Sequence, residues 1–198
     1  MSPPSQRLEQ QIDFIVAVDR LKQVFRQTRL IDDRRPENDA EHSWHLALMA
    51  VVLQEYASDE VDISRVLAMH LIHDLVEIDA GDTFAYDDAA QADKEERERA
   101  AAERIFGLLP ADQRASMIAL WEEFEARQTP EARYAAALDR LHPVLLNYHT
   151  DGAAWRRHDI PRHRVVAVNR HMEDGAPELW EYARALIDTA VAEGKLKG

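Results

Sequence analysis

Met69-His70-Leu71-Ile72-His73-Asp74-Leu75-Val76-Glu77 is the stretch on which the fold turns. With Val66 and Leu67 just upstream, Leu71, Ile72 and Leu75 give it the character of a core helix. Two histidines and two carboxylates inside such a helix need partners, because an unpaired buried polar or charged group is costly. The adjacent pair His73-Asp74 offers an imidazole nitrogen and a carboxylate oxygen side by side, which is ligand chemistry for a divalent metal. Glu77 lies one turn after His73 and returns to the same helix face. Metal ligands with an acid/base carboxylate one turn away make a hydrolytic layout.

Working outward, Asp62 caps this helix and Gly81 suits its stop near Ile78, which leaves Asp82 in the loop beyond Glu77. Upstream, Asn38 or Asp39 caps a helix that opens Glu41-His42-Ser43-Trp44-His45 and runs to about Tyr56, with His42 in its first turn. An amphipathic helix from about Arg7 to Phe25 precedes it. Between the two, Arg26 to Asn38 reads as a loop broken at Pro36, whose four arginines fit either surface ion pairs or an anion site. Phe84 to Ala90 reads as a mobile loop. Gln91 to Phe106 reads as an exposed helix laced with i,i+4 charge pairs and carrying no site. Helices follow over about Ala111 to Ala126 and from Pro130, capped by Thr129; the latter carries Asp139, and Pro143 ends or kinks it. Two closing helices, about 161–171 and 177–193, bring apolar residues suited to core or dimer contact. Without strand alternation the expected architecture is all-α: one domain over 1–198, seven or eight helices, a metal-binding core over about 21–151 and terminal helices over about 161–193.

Composition narrows the function classes. At 198 residues, with 46% hydrophobic and 31% charged residues, one hydrophobic core closes. The absence of cysteine excludes disulfides, thiolate zinc sites and a cysteine nucleophile. A formal net charge of −13 argues against a nucleic-acid polymer or an anionic membrane surface as partner, since both call for a basic footprint. It leaves room for a small anionic substrate at a site that is locally basic or carries a metal. The opening Met-Ser-Pro-Pro-Ser-Gln-Arg has no signal-peptide apolar region, and no apolar run is long enough to span a bilayer, so a cytoplasmic protein is expected.

The order of the residues is more specific than any one of them. His42 opening one helix, the His73-Asp74 doublet in the next and Asp139 in a late helix resemble the H…HD…D signature of the HD-domain phosphohydrolases. Arg34-Arg35-Pro36-Glu37-Asn38-Asp39-Ala40-Glu41-His42-Ser43, then His73-Asp74-Leu75-Val76-Glu77, then Gly81-Asp82 are similar to the branch that holds the bacterial 5′-deoxynucleotidases and their eukaryotic relatives. The resemblance implies that His42, His73, Asp74 and Asp139 hold one divalent cation, with Mn²⁺, Co²⁺, Mg²⁺, Fe²⁺ and Zn²⁺ all compatible with two nitrogens and two carboxylates. It implies that Glu77 and Asp82 serve the catalytic step and that an arginine after the first helix contacts the substrate phosphate. The family's Arg-Trp or Arg-Thr-Gly-Trp stands here as Arg26-Gln27-Thr28-Arg29-Leu30, without the tryptophan, so Arg26 is the first match and Arg29 the second. The expected activity is release of phosphate from a small phosphomonoester, a nucleoside 5′-monophosphate first, by a homodimer. Hydrolysis of another phosphate ester or of a pyrophosphate-bearing nucleotide is the alternative, and a helical interaction protein with a structural metal the second.

Overall fold

The computed structural model describes residues 5–198; part of the segment read as free of a leader, residues 1–4, lies outside them. Ser5 caps α1 (Gln6–Ala17) by accepting from the Leu8 amide. The chain then tightens into a 3-10 turn, Val18–Gln23, and becomes extended. Here it departs from the expected loop: β1 (Phe25–Arg29) pairs antiparallel with β2 (Pro36–Asn38), in a register broken by an irregularity. The first helix therefore stops well short of Phe25. A three-residue strand opened by proline gives no alternation for a periodicity reading to detect.

Next, α2 (Asp39–Val52) starts on a capping box, with the Asn38 side chain accepting from the Glu41 amide and the Glu41 carboxylate accepting from the Asn38 amide. A 3-10 turn, Gln54–Tyr56, follows. Asp62 caps α3 (Ile63–Ile72). The helix does not run on unbroken to Ile78: it tightens to 3-10 over His73–Val76, resumes as α4 (Glu77–Ala80) and stops at Gly81, whose φ of 78° is the left-handed conformation glycine adopts without strain. The remaining helices are α5 (Asp88–Gln91), α6 (Lys94–Phe106), α7 (Ala111–Ala126), α8 (Pro130–His149), α9 (Ala153–Arg157), α10 (Arg162–Asn169), α11 (Met172–Gly175) and α12 (Pro177–Ala192). Eight of the twelve have eight residues or more, so the all-α expectation of seven or eight helices holds among the described residues, with the small hairpin added.

The core is built on α8. Tyr134, Ala135, Ala137, Leu138, Leu141, Val144 and Leu146 are buried along it, and α2, α3, α7, α11 and α12 pack against it. Pro143 does not end this helix, which continues to His149. The buried Asn147 supports that stretch: its Nδ2 donates to the Pro143 carbonyl at 2.9 Å and its Oδ1 accepts from the Ala154 and Trp155 amides, which starts α9. α11 lies so close to α8 that a Cβ on Gly175 would sit 2.2 Å from the Arg133 carbonyl oxygen. The closing helices belong to the same core, with Val165, Leu179, Trp180, Ala183 and Ile187 buried. At roughly 1.5–3 kcal/mol for each large apolar side chain buried, this packing holds α8 firmly as the floor of the site. A second cluster, with Phe14, Ile72, Leu75, Val76, Ile105, Phe106 and Trp121, lies under the 3-10 turn and fixes it from below. By contrast, Leu8, Ile12, Ile15 and Val16 on α1 are exposed, as are Trp44, Leu48, Val51 and Val52 on α2. Among the described residues no helix is long and apolar enough to cross a membrane.

Candidate metal centre

Three elements, α2, the 3-10 turn after α3, and α8, converge on one point. His42 comes from the first turn of α2 and is fully buried. His73 and Asp74 come from the 3-10 turn, and Asp139 from the middle of α8. His42 Nε2 lies 2.9 Å from Asp139 Oδ1, and His73 Nε2 lies 3.9 Å from the same oxygen and 3.1 Å from Asp74 Oδ1. One donor atom from each of His42, His73 and Asp139 falls within 4.8 Å of the others. The His73 tautomer is set from behind: Nδ1 sits 3.0 Å from the His70 carbonyl oxygen, so Nδ1–H donates there and Nε2 keeps its lone pair toward the carboxylates. Nε2 itself is buried without a hydrogen-bond partner. A buried lone pair facing two carboxylate oxygens fits a cation with mixed nitrogen and oxygen ligands.

Beside this cluster stands a carboxylate box around one arginine. Arg26 Nη1 donates to Asp74 Oδ2 at 2.9 Å and to Asp39 Oδ1 at 3.2 Å, and lies 4.0 Å from Asp82 Oδ1. Burial works against its charge, but Asp74, Asp82, Glu77 and Asp39 outweigh burial and keep the guanidinium protonated. The carboxylates divide under the same forces. Burial alone would raise Asp74 and Asp139; His73 and Arg26 hold the first below its ordinary value, and Arg140 with His42 hold the second well below. Burial, Asp74 and Asp39 push Glu77 well up, and its Oε2 has no partner. Burial and Asp74 lift Asp39 to about 7, and burial lifts Asp82. Asp39, Glu77 and Asp82 also bring one oxygen each within 4.8 Å of the others.

A cleft of about 330 Å³ opens onto this arrangement, walled by Arg26, His73, Asp74, Glu77, Asp82, Asp139 and Arg140 and, on the far side, by Lys94 and Glu98 of α6. Arg29 is not brought to it. Strand alternation sends Arg26 and Thr28 to one face of β1 and Arg29 to the other, where it pairs with Asp33 across the hairpin turn.

The sequence reading missed four kinds of residue here. Arg140, next to Asp139 in sequence, has the look of an ordinary ion-pair partner, and it does donate to Asp139 Oδ2 at 2.6 Å, but from within the cleft wall. Asp39 was taken for a cap, whereas it is fully buried against Arg26. Lys94 and Glu98 were read as solvent-facing; Glu98 is buried, with Lys94 Nζ 3.2 Å from it. His142 and Glu37, both buried, carry no local mark, although Glu37 in the Pro-Glu-Asn run was a charged residue next to a helix start that its own capping did not require.

The match to the HD domain model covers residues 18–180, and the chain belongs to the HD-domain family. Its motif resemblance to the metal-dependent phosphohydrolases of that superfamily holds, and membership makes the chain a hydrolase by family. It is similar over its whole length to a crystal structure described as a predicted metal-dependent phosphohydrolase from Magnetospirillum magnetotacticum, with 55% identity, a TM-score of 0.95 and 100% of both chains covered. It is 32% identical over 135 residues to the 5′-deoxynucleotidase HDDC2 of Homo sapiens, covering 68% of this chain and 65% of the human protein. The Danio rerio protein of the same name is 31% identical over 139 residues, covering 70% of this chain and 68% of that one. The aligned region thus spans about two thirds of these relatives.

Proposed function

We propose that the chain is a metal-dependent phosphatase acting on nucleoside 5′-monophosphates, with His42, His73, Asp74 and Asp139 as ligands of one divalent cation. The observation that carries this reading is the meeting of His42 Nε2, His73 Nε2 and Asp139 Oδ1 at the floor of a cleft that also holds Arg26, Glu77 and Asp82. The bound cation supplies charge neutralisation at a phosphoryl oxygen and a lowered pKa for water. Arg26 presents a planar fork to the remaining phosphate oxygens, held in place by Asp74 and Asp39. Glu77, kept protonated by burial and its acidic neighbours, donates its proton to the leaving alkoxide. Asp82, at the turn after Gly81, orients the attacking water. The names of the human and zebrafish relatives support the deoxynucleotide class of substrate. Two imidazole nitrogens with carboxylates and no sulfur ligand are compatible with Mn²⁺, Co²⁺, Mg²⁺, Fe²⁺ or Zn²⁺.

The assembly proposed is a homodimer in the cytoplasm. Its contact moves from the closing helices, which are core, to the exposed stripes Leu8, Ile12, Ile15, Val16 and Trp44, Leu48, Val51, Val52, which share one i, i+4, i+7, i+8 spacing. Sedimentation of the wild type and of Trp44→Glu reads this directly. For the activity, phosphate release is measured across nucleoside monophosphates, triphosphates and non-nucleotide esters with each metal. Turnover of 5′-monophosphates is the expected result. Turnover of triphosphates alone would overturn the substrate, and bound metal without any turnover would overturn the enzyme reading.

A further inference from the structure

Behind His42 the structure holds two further imidazoles, those of His142 and His45, that the proposed reaction does not use. His42 Nδ1 lies 3.0 Å from His142 Nδ1, and His142 Nε2 lies 3.0 Å from His45 Nδ1. His42 and His142 are buried, while His45 is only half-buried on the outer turn of α2. Glu37 lies alongside, its Oε2 3.5 Å from His42 Nδ1 and its Oε1 3.8 Å from His142 Nε2. We propose that His42, His142 and His45 form one directed hydrogen-bond chain whose polarity reverses when His42 takes a metal, so that His142 positions the ligand ring and reports metal occupancy out to His45.

The argument is one of counting protons. A nitrogen–nitrogen contact at 3.0 Å needs one hydrogen and one lone pair. Three neutral rings in a row then have only two consistent arrangements. In the first, His45 Nδ1–H donates to His142 Nε2, His142 Nδ1–H donates to His42 Nδ1, and His42 Nε2–H donates to Asp139 Oδ1, a contact of 2.9 Å. In the second, His42 Nε2 is a bare ligand atom, so His42 Nδ1–H donates to His142 Nδ1 and His142 Nε2–H donates to His45 Nδ1. Passing from the first to the second, one proton leaves His42 Nε2, one moves across each of the two contacts, and one enters His45 Nε2 from water. Every ring is neutral before and after.

Glu37, His45 and His142 also bring one donor atom each within 4.8 Å, so a second cation there is the competing idea. It fails on the same count. Such an ion would occupy His142 Nε2 and force a proton onto His142 Nδ1, against the Nδ1–H that a metal-bound His42 presents 3.0 Å away.

The inference rests on the metal reading above, and the test separates the two. The full chain is labelled with ¹⁵N-histidine, and ring tautomers are read by long-range ¹H–¹⁵N spectra without metal and with Zn²⁺ as a diamagnetic probe. The expected result is His142 as the Nδ1–H tautomer without metal and the Nε2–H tautomer with it, with His45 changing in step. Zn²⁺ that shifts His42 and His73 while His142 keeps its tautomer overturns this inference and leaves the metal reading standing. Zn²⁺ that shifts no histidine overturns the metal reading itself. Direct metal shifts on His45 and His142 overturn the chain in favour of a second site. As a check on position, His142→Phe loses about 10–100-fold in Zn²⁺ affinity, the range for partners of metal-bound histidine. His142→Asn, which keeps an acceptor near Nδ1, recovers most of it. Equal affinity in both variants and the wild type overturns the positioning role, and the wild-type spectra decide even if His142→Phe does not fold.

Discussion

The two sides of the centre are built on opposite principles. Toward the cleft, charge is crowded: Asp74, Asp139, Asp39, Glu77 and Asp82 surround Arg26, with Arg140 beside them. Toward the interior, the backing is mostly imidazole and carbonyl: His70 Nε2 faces the Ala135 carbonyl oxygen and His142 faces other imidazoles, with Glu37 the one carboxylate alongside. Burial drives His70 down to about 3 and His142 well below its ordinary value, so neither carries a charge near neutrality. The difference teaches where the molecule accepts electrostatic cost. Mutually repelling carboxylates crowd on the side that opens to the cleft, where a small ligand has access, whereas behind His42 and His73 the contacts are mostly dipoles of imidazole and carbonyl, with Glu37 the one carboxylate among them.

That contrast is broken first at Glu77. Replacing it with Gln keeps the shape and removes the proton, and turnover falls by about 10²–10⁴-fold while metal affinity measured by calorimetry stays close to wild type. Equal losses in both would place Glu77 among the ligands instead. Next comes Arg26→Gln, which strips the one cation from the box. Breaking a buried pair in this way costs about 3–5 kcal/mol, read as a lower denaturant midpoint in the metal-free protein, and added metal restores part of it.

The backing is probed by pH. His70 has a folded value depressed to about 3 against an ordinary 6.5, so below pH 6.5 the unfolded chain binds a proton that the folded chain refuses. Stability from this group is complete above pH 6.5 and falls as pH drops toward 3, at up to about 1.4 kcal/mol per pH unit. In His70→Gln that part of the slope is missing from urea titrations between pH 6 and 4; an unchanged slope would assign the acid sensitivity elsewhere. The smallest effect belongs to Arg29→Ala, on the wrong face of β1, with a stability change within about 0.5 kcal/mol and no change in KM.

Much of this was legible from residue order. Asn38, Asp62 and Thr129 announced helix starts because a capping side chain acts locally, and each caps as expected. His42, His73 and Asp139 could be picked out because their order along the chain resembles the H…HD…D signature of a known family, and those three do meet. What escaped depended on distant partners. The hairpin rests on pairing across a turn between strands too short to show a pattern. Lys94 and Glu98 have the spacing of any solvated i,i+4 pair, and only the far wall of the cleft buries Glu98. Pro143 reads as ending or kinking its helix; the helix does not end there, since packing along α8 offsets the loss of one backbone bond.

Pro143 has one more effect. A helix owes its stiffness to carbonyls latched onto amides one turn further along, and proline has no amide hydrogen to offer. The carbonyl left without its latch is that of Asp139, four residues earlier. The segment bearing this carboxylate therefore has one latch fewer than an ordinary helix, and the packing around α8 takes over what that bond would have contributed to holding Asp139 in place.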